Sequence, residues 1–454
     1  MRFDNLVLSE TGTLKDAIEK FQKNHMGIVF IINKKDKVVG VLSDGDIRAA
    51  LLTGCKLENS VRKYINRNFV YCFQDTPQEH IMKLLDARVH VVPIVDKNFI
   101  LLDIVYAGKF ADPKSYQIFS RAKSPMRISF AGGGTDITQY FIEHGGLVLN
   151  ATINLYAHAS LHRRSDSKIT IYSHNLNQKI EACSLEDLNF DGRMDMIKAI
   201  IKILSPKFGF DLFLNSDVPP GSGLGGSSSI IAAIIGTFTI FLGEKLDNYD
   251  IAEMAFRAER LLANISGGWQ DQYATVFGGF NLIEFNIHEN IVHPLRINQD
   301  IISELEANLV LCFIGNKKNR EAIFTEHKDK LSSGKKLKNY SEKIKEYTAE
   351  MKSSLLRGRL TDFGNCLDEL WKIKKKFSHL ISNQKIDQLY DYAKKNGAVG
   401  GKLLGAGNGG YFLFYTYRFK RFELENALTK KGFNIQPFTF DSLGLRSWSL
   451  RDIK

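Results

Sequence analysis

The sequence predicts an α+β protein built from at least two folded units. Three observations carry that prediction. A strand-turn-strand unit occurs twice within the first 110 or so residues. Strands, glycine-rich turns and helices then alternate to about residue 300, and a charged, helix-rich remainder still holds two apolar strand-like runs. At 454 residues the chain is also too long for one compact core.

Composition sets the outer limits. Hydrophobic residues make up 44% and charged residues 24%, which is ordinary for a globular protein and excludes wholesale disorder. The net charge of +11 suits an anionic small molecule at least as well as nucleic acid. Its densest run, Lys328 to Lys352, is interleaved with Glu342, Glu346 and Glu350 and reads as a solvated helix face. Cys55, Cys72, Cys183, Cys312 and Cys366 are far apart and form no CxxC pair. Neither a disulfide framework nor a zinc site is expected, and a reducing compartment fits. The opening MRFDNLVLSE lacks a cationic stretch followed by an apolar one, so no signal peptide is expected. The longest apolar run, Ile230 to Leu242, is shorter than the roughly 20 residues a bilayer span requires. A cytoplasmic location with no nucleic-acid and no membrane partner follows as the expectation.

The first unit reads as helix, strand, turn, strand, twice over. Leu14 to Lys23 and Pro77 to Ala87 carry helical periodicity; Gly27 to Ile32 with Val38 to Leu42, and Val89 to Val95 with Phe99 to Val105, are the strand pairs. Asp44 to Leu52 begins a further helix. The most specific stretch is GVLSDGDIRAAL, Gly40 to Leu51. Over roughly residues 1 to 107 this arrangement resembles a tandem CBS pair. The resemblance implies a ribose contact at Ser43 and Asp46, hence an adenine-nucleotide partner. A carboxylate accepting from ribose hydroxyls is sound chemistry. The second half, LLDIVY at Leu101 to Tyr106, has no matching Asp, so at most one nucleotide site is supported. The residues leave open a ligand-free dimerisation module, and a homodimer through the pair is a further expectation. The expected domains are 1–110 for this pair, 111–122 for a polar linker, and 123–300 and 301–454 for two lobes that follow.

The strongest motif is VPPGSGLGGSSSIIAAII, Val218 to Ile235, a glycine-rich loop running into an apolar helix that starts near Ser227. Glycines permit positive φ and close approach to an anion. A helix N-terminus adds unpaired N–H groups and partial positive charge. The loop is a phosphate cradle without the GK[ST] of a Walker loop. With SPMRISFAGGGTD (Ser124 to Asp136) before it and GGKLLGAGNGGYFLFY (Gly400 to Tyr415) after it, the chain resembles the GHMP kinases over about residues 123 to 415. That resemblance implies two α+β lobes, one like ribosomal protein S5 domain 2 and one ferredoxin-like, with ATP and substrate between them.

Family roles carry over where residues match. Pro220, Gly221, Ser222, Gly223, Leu224, Gly225, Gly226, Ser227 and Ser228 form the ATP-phosphate loop. Ser227 is the implied Mg²⁺ ligand, with Ser228 the alternative one register on, because Gly226 stands where the family often has a first serine. Glu259 in AFRAERLL is the second implied ligand, and hard oxygens suit Mg²⁺. Asp271 in GGWQDQYA is the implied catalytic carboxylate, and Arg127 stabilises charge on the acceptor or orients Asp271. The bland alternatives are a helix cap for Asp271, a structural ion pair for Arg127 and a solvated glutamate at 259. Gly133, Gly134, Thr135, Asp136 and Gly407 complete the substrate side, with Asn408 tolerating a left-handed turn in the third motif. Within the family, AGGGTD, GGWQDQYA and FGGFN are most similar to kinases of the anomeric hydroxyl of a heptose that already carries a 7-phosphate. The partner implied is therefore a sugar phosphate. Fucokinase-like sugar 1-kinases share much of the pattern, and a non-catalytic sensor on the same fold is the third alternative. His162, Arg163 and Arg164 are a candidate patch for that phosphate, set against a plain surface turn.

Overall fold

The computed structural model describes residues 3–87, 89–106, 116–243, 245–315, 322–323, 325–326 and 335–453. The chain divides into two compact units, 1–117 with 453–454, and 118–452. Of the expected linker, 111–115 lie outside the described residues, and from Tyr116 the chain runs as strand.

The first unit is the internal repeat made explicit. Its first half has β1 (Val7–Ser9), α1 (Leu14–Asn24), β2 (Ile28–Ile32), β3 (Val38–Ser43) and α2 (Asp44–Leu52). Its second has β4 (Cys72–Phe73), α3 (Gln78–Asp86), β5 (Val91–Val95) and β6 (Leu101–Tyr106). Each half is a three-stranded sheet in which a short strand pairs in parallel with the central one and the third strand is antiparallel. The short strands β1 and β4 were not expected: at three and two residues they are too brief to show alternation. Leu14, Ala17, Val29, Ile31, Leu42 and Ile47 bury one face of the first half.

The second unit opens with two long neighbouring strands, β7 (Tyr116–Ala131) and β8 (Gly146–Arg163), separated by α4 (Thr138–His144). Next come β9 (Ile169–Ser173), β10 (Gln178–Ala182), α5 (Asp195–Leu204), β11 (Phe210–Ser216), α6 (Gly226–Leu242) and α7 (Asn248–Phe256). A π-helical turn, Arg257–Leu262, leads to α8 (Gln270–Phe277), β12 (Phe280–Phe285) and β13 (Asn290–Pro294). The sheet runs β10-β9-β11-β8-β12-β13, with β7 also on β8. Helix α6 is apolar on nearly every side, so it is sunk in the core, where Ile231, Ile234, Ile235 and Phe238 are fully buried.

The second lobe comprises α9 (Gln299–Asn308), β14 (Leu309–Phe313), α10 (Lys335–Leu356), α11 (Leu360–Lys375), α12 (Gln384–Lys395), β15 (Ala398–Leu403), β16 (Tyr411–Thr416), α13 (Arg421–Lys430) and β17 (Asn434–Ile435). Its strands form an antiparallel sheet, β15-β16-β14-β17. The lysine-rich run continues from Lys335 as α10; its earlier part, 328–334, lies outside the described residues. After β17 the chain returns to the first lobe, where β18 (Phe440–Asp441) pairs with β8. The lobes are tied by side chains as well as by core packing. Tyr140 Oη donates to Glu342 Oε1 at 2.7 Å, and Lys345 Nζ donates to the carbonyl of His144 at 2.7 Å. No helix among the described residues is long and apolar enough to cross a membrane.

Candidate active site

A cleft of about 620 Å³ lies between the lobes of the second unit, and the three glycine-rich motifs meet on its walls. The loop before α6 supplies one wall. Gly221, Gly223 and Gly225 have φ of +77°, +86° and +79°. Left-handed residues at alternate positions turn backbone N–H groups toward a common side, the arrangement of anion-binding nests. Pro220, Gly221, Ser222, Gly223, Gly225, Gly226 and Ser227 line the cleft. Leu224 does not; its side chain is fully buried and anchors the loop in the core. The third motif braces the loop, with Tyr411 N donating to Ser222 O at 3.0 Å. Helix α6 starts at Gly226, one residue ahead of the expected Ser227, and its N-terminus lies at this wall.

Arg127 on β7 and Asp271 in the first turn of α8 form the centre. Nε and Nη2 of Arg127 donate to Oδ1 of Asp271 at 2.8 and 2.5 Å, while Nη1 donates to Gly223 O at 2.7 Å. One guanidinium thus joins the phosphate loop to the carboxylate, and its backbone N–H adds a bond to Leu224 O at 2.9 Å. Arg127 is 4% exposed and Asp271 18%, so the pair is largely screened from water yet open to the cleft. The ion pair considered as the alternative for Arg127 is present, and it stands on the cleft wall.

Asp136 faces the same space. Its carboxylate accepts from Gly134 N at 2.9 Å and Gln270 N at 3.1 Å. Burial, assisted by nearby Asp271, raises its pKa against those hydrogen bonds. Gly133 and Gly134 line the cleft beside it. Thr135 is fully buried and does not line it: its hydroxyl ties the turn together through Gly132 O, Leu147 O and Leu147 N. Gly407, at φ +127°, likewise stays off the cleft wall and packs on Ile381, while Gly405 and Ala406 line it. Asn408 adopts the left-handed φ of 55° expected of it.

The structure pairs Glu259 with Ser228. Ser228 Oγ donates to Glu259 Oε2 at 2.7 Å, and Gln272 Nε2 donates to the same oxygen. Ser227, not Ser228, lines the cleft. Glu259 is fully buried in the π-helical turn, so the exposed-glutamate alternative fails; its Oε1 has no hydrogen-bond partner among the described residues. A buried carboxylate oxygen without a partner, behind a cleft-lining serine, fits a hard divalent cation.

Three residues escaped the sequence reading. Lys402 on β15 is buried at the cleft wall and donates to Phe130 O at 3.1 Å. Burial, then the neighbouring Arg127, pushes its pKa down to about 7, with Asp136 opposing. Arg260 holds the loop before α8 through Ile265 O (3.1 Å) and Gly268 O (3.2 Å). Lys374 on α11 donates to Leu403 O at 2.7 Å and to Gly405 O. The lysine of KLLGAG was the available signal, but nothing local shows that it is buried. Trp269, within GGWQDQYA, stacks on Phe256 and donates Nε1–H to Thr138 Oγ1 at 2.9 Å. The candidate patch is spent elsewhere: Arg164 pairs with Asp166 and Asp211, His162 lies 3.4 Å from Asp211, and Arg163 sits over the Phe208 ring.

In the first unit, Ser43 and Asp46 form the capping box of α2. Ser43 N and Oγ donate to Asp46 Oδ2 at 2.8 and 2.6 Å, and Asp46 N donates back to Ser43 Oγ. Thr13 and Asp16 do the same for α1. The Ser-x-x-Asp pattern therefore has a helix-capping function of its own.

The glycine-rich loop, the N-terminus of α6 and the Arg127–Asp271 pair thus meet on one cleft, an arrangement suited to phosphoryl transfer. Comparison with known proteins gives the same class. The GHMP kinases N terminal domain matches residues 195–279 and the GHMP kinases C terminal domain matches 351–434. The CBS domain matches 1–53 and 61–110. The chain is 40% identical over 336 residues to the D-glycero-α-D-manno-heptose 7-phosphate kinase of Campylobacter jejuni, covering 73% of this chain and 99% of that one. It is 25% identical over 320 residues to an L-fucokinase/L-fucose-1-P guanylyltransferase of Bacteroides fragilis, of which it covers 34%. The crystal structure of a D-glycero-D-manno-heptose 1-phosphate kinase from Bacteroides thetaiotaomicron superposes with a TM-score of 0.61 at 31% identity, covering 72% of this chain and 98% of that one. The chain belongs to the GHMP kinases and carries an N-terminal CBS domain pair. Membership makes it an ATP-using kinase.

Proposed function

We propose that this kinase transfers the γ-phosphoryl group of ATP to the anomeric hydroxyl of D-glycero-D-manno-heptose 7-phosphate, forming the 1,7-bisphosphate used for bacterial surface polysaccharides. The observation that carries the reaction type is the Arg127–Asp271 pair set against the phosphate loop. The heptose rests on the likeness to the two heptose kinases.

In this account the nest of the phosphate loop and the α6 N-terminus bind the nucleotide phosphates. Asp136, Gly133 and Gly134 position the sugar. Asp271 takes the proton of the attacking hydroxyl, and Arg127 fixes the carboxylate and balances charge as the oxygen attacks phosphorus. Ser227 and Glu259 would hold Mg²⁺, which neutralises phosphate charge when bound. The test is ATP consumption with a panel of sugars and sugar phosphates. A fucokinase-like specificity would appear as turnover of an unphosphorylated sugar, and a non-catalytic sensor as binding without turnover.

For the CBS pair, the proposed ligand is an adenine nucleotide contacting Ser43 and Asp46, with a homodimer formed through this unit. The CBS match supports it. Calorimetry of AMP, ADP and ATP on the full chain and its Asp46→Ala variant tests the first part, and sedentation of the full chain by ultracentrifugation tests the second.

A further inference from the structure

Lys402 is a residue of the cleft wall that the mechanism above leaves unused and whose chemistry demands an explanation. It is 5% exposed. Its ammonium carries three donors, yet among the described residues it has one acceptor, the carbonyl of Phe130 on the opposite lobe, and no ion pair. A buried ammonium without a carboxylate is costly, and an apolar side chain would be cheaper there unless the charge is used.

The surroundings show what the charge can meet. From β7, Arg127 is already engaged with Asp271 and Gly223 O. From the turn after β7, Asp136 is held by two backbone N–H groups. From α11, Lys374 is turned onto Leu403 O and Gly405 O. Lys402 therefore faces the cleft between one engaged cation and one engaged carboxylate, where the phosphate loop, the Asp136 turn and the third motif converge. What enters this space in a kinase is a phosphoryl group.

We propose that Lys402 is an anion ligand of the cleft, its ammonium binding a phosphoryl oxygen of a bound substrate and so linking β15 to that substrate. This rests on the kinase reading above. Two sources share the chemistry: the γ-phosphoryl of ATP and the phosphate already on the sugar. The lowered pKa adds a second readout. Above about pH 7 the free protein holds Lys402 largely neutral, so binding an oxyanion draws in a proton.

The test is calorimetry on the full chain at pH 8, wild type against Lys402→Met and Lys402→Gln, in two buffers of different ionisation enthalpy. The ligands are ATP, ADP, heptose 7-phosphate and the unphosphorylated heptose. A charged hydrogen bond of ordinary strength predicts about 10- to 100-fold weaker binding of one phosphorylated ligand. Loss for ATP but not ADP assigns the γ-phosphoryl; loss for heptose 7-phosphate but not heptose assigns the sugar's phosphate. In either case the wild type takes up protons that the variants do not. Unchanged affinity for both phosphorylated ligands in a folded variant overturns the proposal and leaves Lys402 as a strut to Phe130. If the wild type fails to bind heptose 7-phosphate, the proposed substrate falls, and Lys402 stands or falls on ATP alone. Should neither variant fold, absence of proton uptake by the wild type with every phosphorylated ligand overturns it.

Discussion

Arg127 places two N–H donors on a single carboxylate oxygen of Asp271, 144 residues further along the chain. Replacing that carboxylate by an amide keeps the shape and removes the base. Asp271→Asn is expected to lower kcat about 10²-fold or more, the usual scale of a general base. ATP affinity should stay near wild type, because the phosphate loop is untouched. Steady-state kinetics beside nucleotide titration checks both halves; near-normal turnover in the folded variant removes Asp271 from the mechanism.

Glu259 and Ser227 bear on the metal. Glu259→Gln and Ser227→Ala are each expected to raise the Mg²⁺ concentration for half-maximal rate. Ser228→Ala removes the hydroxyl that now holds Glu259 Oε2 and reports whether that bond matters for the same property. If Ser228→Ala shifts the Mg²⁺ dependence and Ser227→Ala leaves it alone, the ligand register is one residue later.

Gly268 and Asp136 share a space that admits only one of them. A Cβ on residue 268 would lie 2.0 Å from Asp136 Oδ2. Asp136 cannot retreat without breaking its bonds to Gly134 and Gln270. Gly268→Ala should therefore cost about 1–3 kcal/mol of stability, as overpacking does. It should also raise the sugar KM with little change in that for ATP. Equal changes in both KM values would mean that Asp136 does not touch the sugar.

Much of this site was legible because glycine, serine and proline leave local marks. A loop with left-handed positions must be written in glycine, and Gly221, Gly223 and Gly225 take up that conformation. What the sequence could not show depends on partners far along the chain. The burial of Lys402 follows from a strand of the second lobe meeting Phe130, 272 residues earlier. The family resemblance pointed to Glu259, but its pairing with Ser228 depends on α6 meeting the π-helical turn. Thr135 looked like a substrate contact because it stands between Gly134 and Asp136, yet its hydroxyl is consumed by the turn. The return of Phe440–Asp441 to the first lobe has no local signature, since two residues show no periodicity. Ser43 and Asp46 show the converse: one spacing forms a helix cap here and would equally suit the proposed ligand contact, and sequence alone does not separate the two.

Lys402 also gives stability a pH dependence. Its folded pKa is about 7, below the ordinary lysine value of 10.5. Between those values the unfolded chain binds more protons than the folded one, so this group's contribution makes the protein more stable as pH rises through that window. The penalty is fully present below pH 7, where the buried ammonium is charged. Lys402→Met should flatten this dependence and raise Tm at pH 6.5, while turnover falls. A Tm that drops at every pH would show that the bond to Phe130 O outweighs the cost of burial.

The roles proposed for the cleft converge on one reaction, phosphorylation of a heptose phosphate at its anomeric oxygen. The most direct measurement is ³¹P NMR of the product formed from ATP, Mg²⁺ and D-glycero-D-manno-heptose 7-phosphate by the full chain. A second sugar phosphate resonance coupled to the anomeric proton is expected, formed in step with ADP and absent with Asp271→Asn. Phosphate appearing at another carbon, or ATP consumed with an unphosphorylated sugar but not with the heptose 7-phosphate, would contradict it.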